Sequence, residues 1–259
     1  MSKLSQEKLY LFDTQGFVVM EDVLSSSQIQ MAKRELKSMR SSAKFYLNTE
    51  RFDNLVNSSQ NFKKFAEKPE ILARITQLIN QPIRLIESYA LNRLKDGFLY
   101  LHNGYSQELV YEQDIKASLN MSINHTYHNG RLYCMFLKAI FYLDDIQTVE
   151  DGPFCYIQGS HKANFPFPWP KDNIGKHIPI AISGFPSLST VPVKAGDVLI
   201  INEALLHGAL PKKSNCERWM MAFSYAPSFV SDWKPLNRAN NDIYTAGHYD
   251  ADGEEDFFV

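Results

Sequence analysis

The sequence lacks a long hydrophobic run, a pair of cysteines at metal or redox spacing, and a strong excess of charge of either sign. Its 27 basic and 29 acidic side chains give a net charge of −2, which argues against a general affinity for nucleic acid or for an anionic membrane. No apolar run is long enough to cross a bilayer, and the first residues lack the apolar core of a signal peptide. We therefore expect a cytoplasmic protein that acts on a small molecule, with no nucleic-acid or membrane partner and an oligomeric state that the sequence does not indicate.

Cysteine is scarce, with three residues in a chain of 259. Cys134 and Cys155 lie within apolar, strand-like runs, where a cysteine usually serves as a small core residue. An odd count at wide spacing does not support a disulfide framework. The pattern is typical of a protein in a reducing, intracellular environment.

The residue pattern over most of the chain is typical of β-strands, and aromatic residues make up 13% of the chain. Helical spacing of apolar residues predicts helices over residues 6–13, 29–39 and 69–79. Apolar and alternating runs predict strands over residues 16–20, 82–94, 132–143, 154–157, 191–193, 198–202 and 219–225. Asn129-Gly130 indicates a two-residue hairpin turn.

These elements predict a mainly β fold with flanking helices, in which the strands form a double-stranded β-helix, that is, a jelly-roll or cupin-like barrel. We expect a single domain over residues 1–259, with a helical N-terminal part of about 1–80 and a barrel of about 83–230. The proline-rich residues 164–192 predict a long loop over the barrel, and the acidic residues 251–256 predict a mobile tail.

The most informative segment follows the Gly196-Asp197 turn, where an apolar strand leads to His207, and Arg218 comes eleven residues later in a second apolar strand. Imidazole is a preferred ligand of Fe(II), and a guanidinium group binds a carboxylate through two hydrogen bonds. A metal ligand followed at this distance by a carboxylate clamp is what an iron enzyme that consumes 2-oxoglutarate requires. We therefore predict His207 as an iron ligand and Arg218 as the residue that binds 2-oxoglutarate.

Several motifs in this order give the chain a family resemblance: residues 142–145 (Tyr-Leu-Asp-Asp), 151–154 (Asp-Gly-Pro-Phe) and 159–162 (Gly-Ser-His-Lys), followed by His207-Gly208 and Arg218. Together they closely resemble the phytanoyl-CoA dioxygenase-like proteins, over roughly residues 8–230. The resemblance implies a jelly-roll barrel that holds non-haem Fe(II) and uses 2-oxoglutarate and O₂. It also implies that the histidine of the Gly-Ser-His-Lys motif, His161, supports the barrel rather than the iron.

The family's His-x-Asp pair, which supplies two further iron ligands, is absent upstream of His207. The best candidate for its position is His102-Asn103-Gly104, in which the histidine follows a predicted strand but glycine replaces the acid. His125 and His128 compete for the same role and also lack the acid two residues later. We predict His102, with His207, as a metal ligand.

Two explanations of the missing acid remain open. In the first, Gly104 leaves a coordination position for a halide, as in the His-x-Gly halogenases of this superfamily. In the second, another carboxylate takes the position. Glu203 is the leading candidate because a charge within an apolar run is costly to bury without a partner, and the others follow His102 in the chain: Glu108, Glu112 and Asp114.

The expected activity is that of an Fe(II)/2-oxoglutarate-dependent dioxygenase that hydroxylates an unactivated C–H bond of a small molecule, such as a secondary metabolite. One alternative is an aliphatic halogenase with the same cosubstrates plus chloride, and another is a non-catalytic cupin-like barrel that binds a ligand. The overall layout is also similar to hydroxylases that tailor cyanobacterial natural products, of the cylindrospermopsin type.

Overall fold

The computed structural model describes residues 3–102, 125–163, 187–228, 248–249 and 255–256. Most of the predicted loop at 164–192 and most of the predicted acidic tail at 251–256 lie outside these residues, as do Asn103 and Gly104. The single-domain organisation predicted for residues 1–259 stays a prediction.

The described residues form five α-helices: Gln6–Gln15 (α1), Ser26–Ser38 (α2), Leu55–Ser58 (α3), Gln60–Ala66 (α4) and Pro69–Ile79 (α5). The Ser25 side chain caps α2 by accepting from the Gln28 N–H, and the Gln28 side chain in turn accepts from the Ser25 N–H. The predicted α5 is confirmed, with Pro69 in its first turn and Asn80 in a left-handed conformation after its end. The sequence pattern did not predict α3 and α4. No helix in the described part of the chain is both long enough and apolar enough to span a bilayer.

The strands of the described residues are Phe17–Met20 (β1), Lys44–Tyr46 (β2), Thr49–Asp53 (β3), Ile83–Arg93 (β4), Leu99–His102 (β5), His125–His128 (β6), Arg131–Cys134 (β7), Leu137–Tyr142 (β8), Phe154–Ile157 (β9), Leu188–Val191 (β10), Val198–Asn202 (β11), His207–Ala209 (β12), Trp219–Pro227 (β13), His248–Tyr249 (β14) and Glu255–Asp256 (β15). The large sheet has the order β1-β11-β8-β13-β4-β14-β15, and the hairpin β2-β3 joins it through β4. A small sheet has the order β10-β9-β12-β5, and β6 pairs with β7. All of these pairings are antiparallel.

The large sheet has two buried faces, and alternation along each strand assigns its residues to one or the other. On β8, Ala139 and Phe141 belong to the core that packs on the helices. Ile140 and Tyr142 instead belong to a second core, which also contains Phe154 of the small sheet. The space between the sheets is therefore lined by the inward face of the large sheet and by one face of the small sheet.

This arrangement confirms the predicted mainly β fold with flanking helices. Within the described residues, strand pairing does not join the two sheets into a closed barrel. The prediction of one strand over residues 132–143 was wrong, because β7 pairs in a hairpin with β6 while β8 joins the large sheet. The chain turns between them at Phe136, whose carbonyl accepts from the Glu203 N–H. The predicted Asn129-Gly130 turn is confirmed, with both residues at positive φ.

A polar network ties α1 to the loop that contains Gly159-Ser160-His161. The His161 Nε2–H donates to the Asp13 carbonyl at 2.9 Å, and the His161 ring lies 4.6 Å from the His125 ring. His161 Nδ1 is buried without a hydrogen-bond partner among the described residues, and it faces Gly16, where a Cβ would lie 2.8 Å away. The expectation that His161 supports the fold stays a prediction, and these contacts favour it.

Protonation of His161 is expected to destabilise the fold in acid. Burial lowers the pKa of His161 to about 4, whereas an unfolded histidine titrates near 6.5. The unfolded state therefore binds a proton first, and stability falls as the pH decreases from about 6.5 to about 4, by up to about 3 kcal/mol. Below that range both states are protonated and this contribution stops changing. His161→Gln retains a donor for Asp13 but cannot titrate.

Denaturant unfolding of both proteins at pH 7 and pH 5 measures the effect. The wild type should lose more stability between the two pH values than His161→Gln does. Equal losses would show that this imidazole does not carry the acid sensitivity.

Candidate functional site

His102 and His207 lie side by side at the inward face of the small sheet. They are directly opposite each other in the antiparallel pairing of β5 with β12, and their ring centroids are 4.3 Å apart. His207 is also opposite Tyr156 of β9 and stacks on the Phe154 ring at 5.5 Å. Residues opposite each other on neighbouring strands point to the same face. The two histidines predicted from the sequence are therefore brought together, although 105 positions separate them in the chain.

Gly208 allows this pairing. A Cβ at position 208 would lie 2.7 Å from the carbonyl oxygen of Leu99 and 2.9 Å from that of Tyr100, both in the backbone of β5. Real Cβ atoms do not approach backbone oxygens so closely, so any other residue would push β5 away. The glycine after the histidine is thus a requirement of the contact that places the two imidazoles together.

Both imidazole rings are held in the same way. His102 Nδ1 lies 2.9 Å from the Tyr100 carbonyl, and His207 Nδ1 lies 2.7 Å from the Leu205 carbonyl. Because a carbonyl can only accept, Nδ1 carries the proton and the lone pair is left on Nε2, the nitrogen that would bind a metal. Burial lowers the pKa of both groups, and it lowers that of His207 to about 3 with a further contribution from His102. Both rings are therefore neutral near pH 7, as metal ligation requires.

Glu203, the candidate carboxylate ligand, pairs with a lysine in the structure. Its Oε1 lies 2.8 Å from Nζ of Lys138, and both side chains are buried. Burial opposes ionisation of the Glu203 carboxyl, but the attraction of Lys138 and smaller contributions from the two histidines lower its pKa to about 2. Lys138 lies on β8 with the same orientation as Ile140, so the ion pair belongs to the space between the sheets.

The described residues do not contain three histidine, cysteine or acidic side chains grouped to hold one metal ion. They supply two imidazoles, with Glu203 nearby and bound to Lys138. Gly104, and the alternative carboxylates Glu108, Glu112 and Asp114, lie outside the described residues. The third ligand predicted from the sequence thus stays open.

Arg218 is buried on the inward face of the large sheet, with 4% of its surface exposed. No carboxylate among the described residues forms an ion pair with it: Glu217 binds Lys37 and Arg40 instead, and Asp197 accepts from backbone N–H groups. The guanidinium carbon of Arg218 lies 6.0 Å from the centre of the Tyr142 ring, and its Nε has no hydrogen-bond partner among the described residues. A buried guanidinium without a counter-ion is suited to bind an anionic ligand.

Sequence reasoning missed two charged residues that line the same space, Arg93 and Lys138. Both side chains are buried, but only Lys138 is the single charged residue of an otherwise apolar strand. For Lys138 that pattern was the available signal, because a buried charge requires a partner, whereas the strand of Arg93 contains other charged residues.

The competing histidines do not join the pair. His125 binds Asp13 through Nε2 at 2.8 Å and belongs to the network around His161. The side chain of His128 lies outside the described part of the structure. Ser160 supports the backbone next to His207, because its Oγ accepts from the N–H of Leu206, the residue before His207.

Comparison with known proteins accords with this geometry. Residues 12–220 match the model of the family described as phytanoyl-CoA dioxygenase (PhyH). No curated protein sequence matches the chain. The family match confirms the resemblance that the motifs between Tyr142 and Arg218 predicted.

Solved structures extend the comparison. HygX from Streptomyces hygroscopicus with nickel and 2-oxoglutarate bound is 43% identical, with a TM-score of 0.78 over 89% of this chain and 90% of that chain. HygX with nickel, 2-oxoglutarate and hygromycin B bound is 41% identical, with a TM-score of 0.76 over 89% of this chain and 90% of that chain. The carbocyclase SnoK from nogalamycin biosynthesis has a TM-score of 0.66 over 92% of this chain and 90% of that chain, but it is only 16% identical and shares the fold alone.

These matches confirm the predicted jelly-roll fold and the predicted enzyme class, an iron- and 2-oxoglutarate-dependent oxygenase. The similarity to cylindrospermopsin-type hydroxylases stays a prediction.

Gly208→Ala should weaken metal binding more than it weakens the fold. The added Cβ would collide with the β5 backbone and separate His102 from His207, while the large sheet is untouched. We expect the dissociation constant for Co(II) or Ni(II) to rise by about tenfold or more, the range seen when the support of a ligand is disturbed. Titration calorimetry measures it, and Thr190→Ala, at an exposed position of β10 in the same small sheet, serves as control. Equal metal affinity in the Gly208→Ala protein and the wild type would contradict the argument.

Variants of Glu203 and Lys138 distinguish an ion pair from a metal ligand. Glu203→Gln leaves the Lys138 charge unpaired in a buried site and should cost about 3–5 kcal/mol of stability. The double variant Lys138→Met/Glu203→Gln removes both charges and should recover most of that loss.

Metal affinity decides between the two roles. If Glu203 serves only the ion pair, the double variant binds Co(II) or Ni(II) nearly as tightly as the wild type. If Glu203 is a ligand, the double variant loses metal as completely as the single variant does.

Proposed function

Because the chain belongs to the phytanoyl-CoA dioxygenase family, we propose that it binds Fe(II) through His102 and His207 and 2-oxoglutarate through Arg218. On this site it would use O₂ to hydroxylate an unactivated C–H bond of a small molecule, in the cytoplasm. The observation that carries the proposal is the placement of two neutral, adjacent imidazoles and an unpaired buried guanidinium on the facing walls of one space.

The donor set fits the proposed groups. Imidazole nitrogen suits ferrous iron, and both Nδ1 atoms already donate to backbone carbonyls, so the ring orientation would not change on metal binding. The guanidinium of Arg218 lacks an acidic partner among the described residues, which a carboxylate of 2-oxoglutarate would provide. When bound, iron and the keto acid supply the activation of O₂, with loss of CO₂ and formation of succinate.

The residues of the chain position and isolate the reaction. His102 and His207 would fix the metal against the small sheet, and Arg218 would hold the cosubstrate against the large sheet. Phe154 stacks on the His207 ring and Tyr156 lies opposite His207 in the sheet, so apolar surface shields this imidazole from water.

A polar small molecule of secondary metabolism is the substrate class that we propose. HygX, a relative at 41% identity, binds the antibiotic hygromycin B. In this chain, Glu87 interacts electrostatically with Lys138 and accepts from Ser224, so charged groups of both signs occur beside the site. Such groups suit a substrate rich in hydroxyl and amino groups.

Succinate release tests the proposal. The purified protein with Fe(II), 2-oxoglutarate, O₂ and hygromycin B as probe substrate should form succinate, and the product should gain one oxygen atom by mass. His207→Ala and His102→Ala should each lower succinate formation by more than about a hundredfold, since even the loss of a ligand's supporting contact costs about 10- to 100-fold. Lys213→Met, at an exposed residue whose side chain binds Asp96, is the control. Formation of succinate without iron, or equally by the His207→Ala protein, would overturn the proposal.

No Asp lies two residues after His102, so the halogenase alternative is tested by a separate experiment. With bromide in place of chloride, a halogenase would yield a brominated product, whereas a hydroxylase gives the same oxygenated product in both salts. We expect the oxygenated product.

A further inference from the structure

A second guanidinium lies beside Arg218. Arg93 is the last residue of β4, and its backbone N–H donates to the Arg218 carbonyl at 2.9 Å. Asn92 is opposite Trp219 in the register of β4 with β13, so Arg93 is opposite Arg218 and points to the same face. Tyr89 and Leu91 of β4 belong to the core between the two sheets, and Arg93 follows them at the same alternation. Arg93 and Arg218 therefore face the space between the sheets.

Neither arginine has a counter-ion among the described residues. Arg93 is 3% exposed, and its Nε and Nη1 atoms are buried without a hydrogen-bond partner. Arg218 is 4% exposed, and its Nε is unpaired as well. Burial, with a further contribution from the charge of Arg218, lowers the pKa of Arg93 to about 9, and burial likewise lowers the pKa of Arg218.

Two like charges directly opposite each other in a sheet destabilise it, and burial without a partner raises the cost. Arg51, in the neighbouring strand β3, shows how the same sheet treats an arginine that has only a structural role: it binds the carboxylates of Asp53 and Glu87 at 2.6 and 3.0 Å. The sheet therefore leaves Arg93 and Arg218 without the acidic partners that it supplies to Arg51. A pair of this kind is suited to an anion that arrives from outside the chain.

We propose that Arg93 and Arg218 together bind the distal carboxylate of 2-oxoglutarate, so that this chain recognises the dicarboxylate with two guanidinium groups. The inference rests on the proposed function and adds a residue to it. Gly97 supports the arrangement, since a Cβ there would lie 2.7 Å from Cγ of Arg93 and would displace this side chain. A carboxylate can accept from both groups, because its two oxygens offer about four acceptor positions.

The test compares two keto acids that differ only at the distal end. 2-Oxoglutarate carries the second carboxylate, and 2-oxobutyrate has the keto acid without it. Binding to the Fe(II)-loaded protein is measured without O₂, by the visible charge-transfer absorption and by calorimetry. Arg93→Met should raise the dissociation constant for 2-oxoglutarate by about ten- to hundredfold and that for 2-oxobutyrate by less than about twofold.

Arg51→Met is the matched control, because it removes an arginine of the same sheet that already has carboxylate partners. It should leave the affinity for both keto acids near the wild-type value. In the absence of ligand, Arg93→Met should unfold at the same temperature as the wild type or at a higher one, since it removes a buried repulsion. A structural role for Arg93 would instead lower the unfolding temperature.

The outcomes separate this inference from the proposed function. If the wild type binds 2-oxoglutarate and Arg218→Met does not, but Arg93→Met binds it as the wild type does, only the role of Arg93 is overturned. Equal weakening of both keto acids by Arg93→Met overturns it too. If the wild type with Fe(II) fails to bind 2-oxoglutarate, the proposed function and this inference are both wrong.

Discussion

Strands β5 and β12 can approach each other only because residue 208 has no side chain, and their pairing places His102 opposite His207. Each ring is then oriented by the carbonyl two residues before it, so the positions of the two nitrogens that face the inter-sheet space follow from backbone geometry. Burial lowers the pKa of both rings and keeps them neutral, and Phe154 covers that of His207. The proposed metal site would thus be formed by the sheet before the metal binds.

Among the charged groups that face the same space from the large sheet, Lys138, Arg93 and Arg218 differ in their partners. Lys138 is neutralised by Glu203 within the chain, whereas Arg93 and Arg218 are not neutralised by any described residue. The distinction separates a structural charge from one that is available for a ligand. The ion pair also gives Glu203 a role that requires no metal, because its carboxylate neutralises a buried cation.

Local chemistry made much of the fold predictable. Apolar periodicity and Pro69 located α5, and Asn129-Gly130 located the β6-β7 turn. His207 and Arg218 were recognisable because the residues around them are apolar and their spacing is short. Arg93 was not, because its partner lies on β13, far along the chain, and only the register of two strands brings them together. The prediction of one long strand over residues 132–143 was wrong for the same reason. Apolar character does not reveal that the first part of this segment pairs with β6 and the second part with β11.

The unpaired arginines have a consequence for the order in which the site fills. A cavity with two uncompensated positive charges disfavours the entry of a divalent cation, while a bound dianion removes that repulsion. Metal and keto acid should therefore assist each other's binding, and by thermodynamic reciprocity each would tighten the other by the same factor. Such mutual dependence would keep the chain from retaining a reactive metal when the keto acid is scarce.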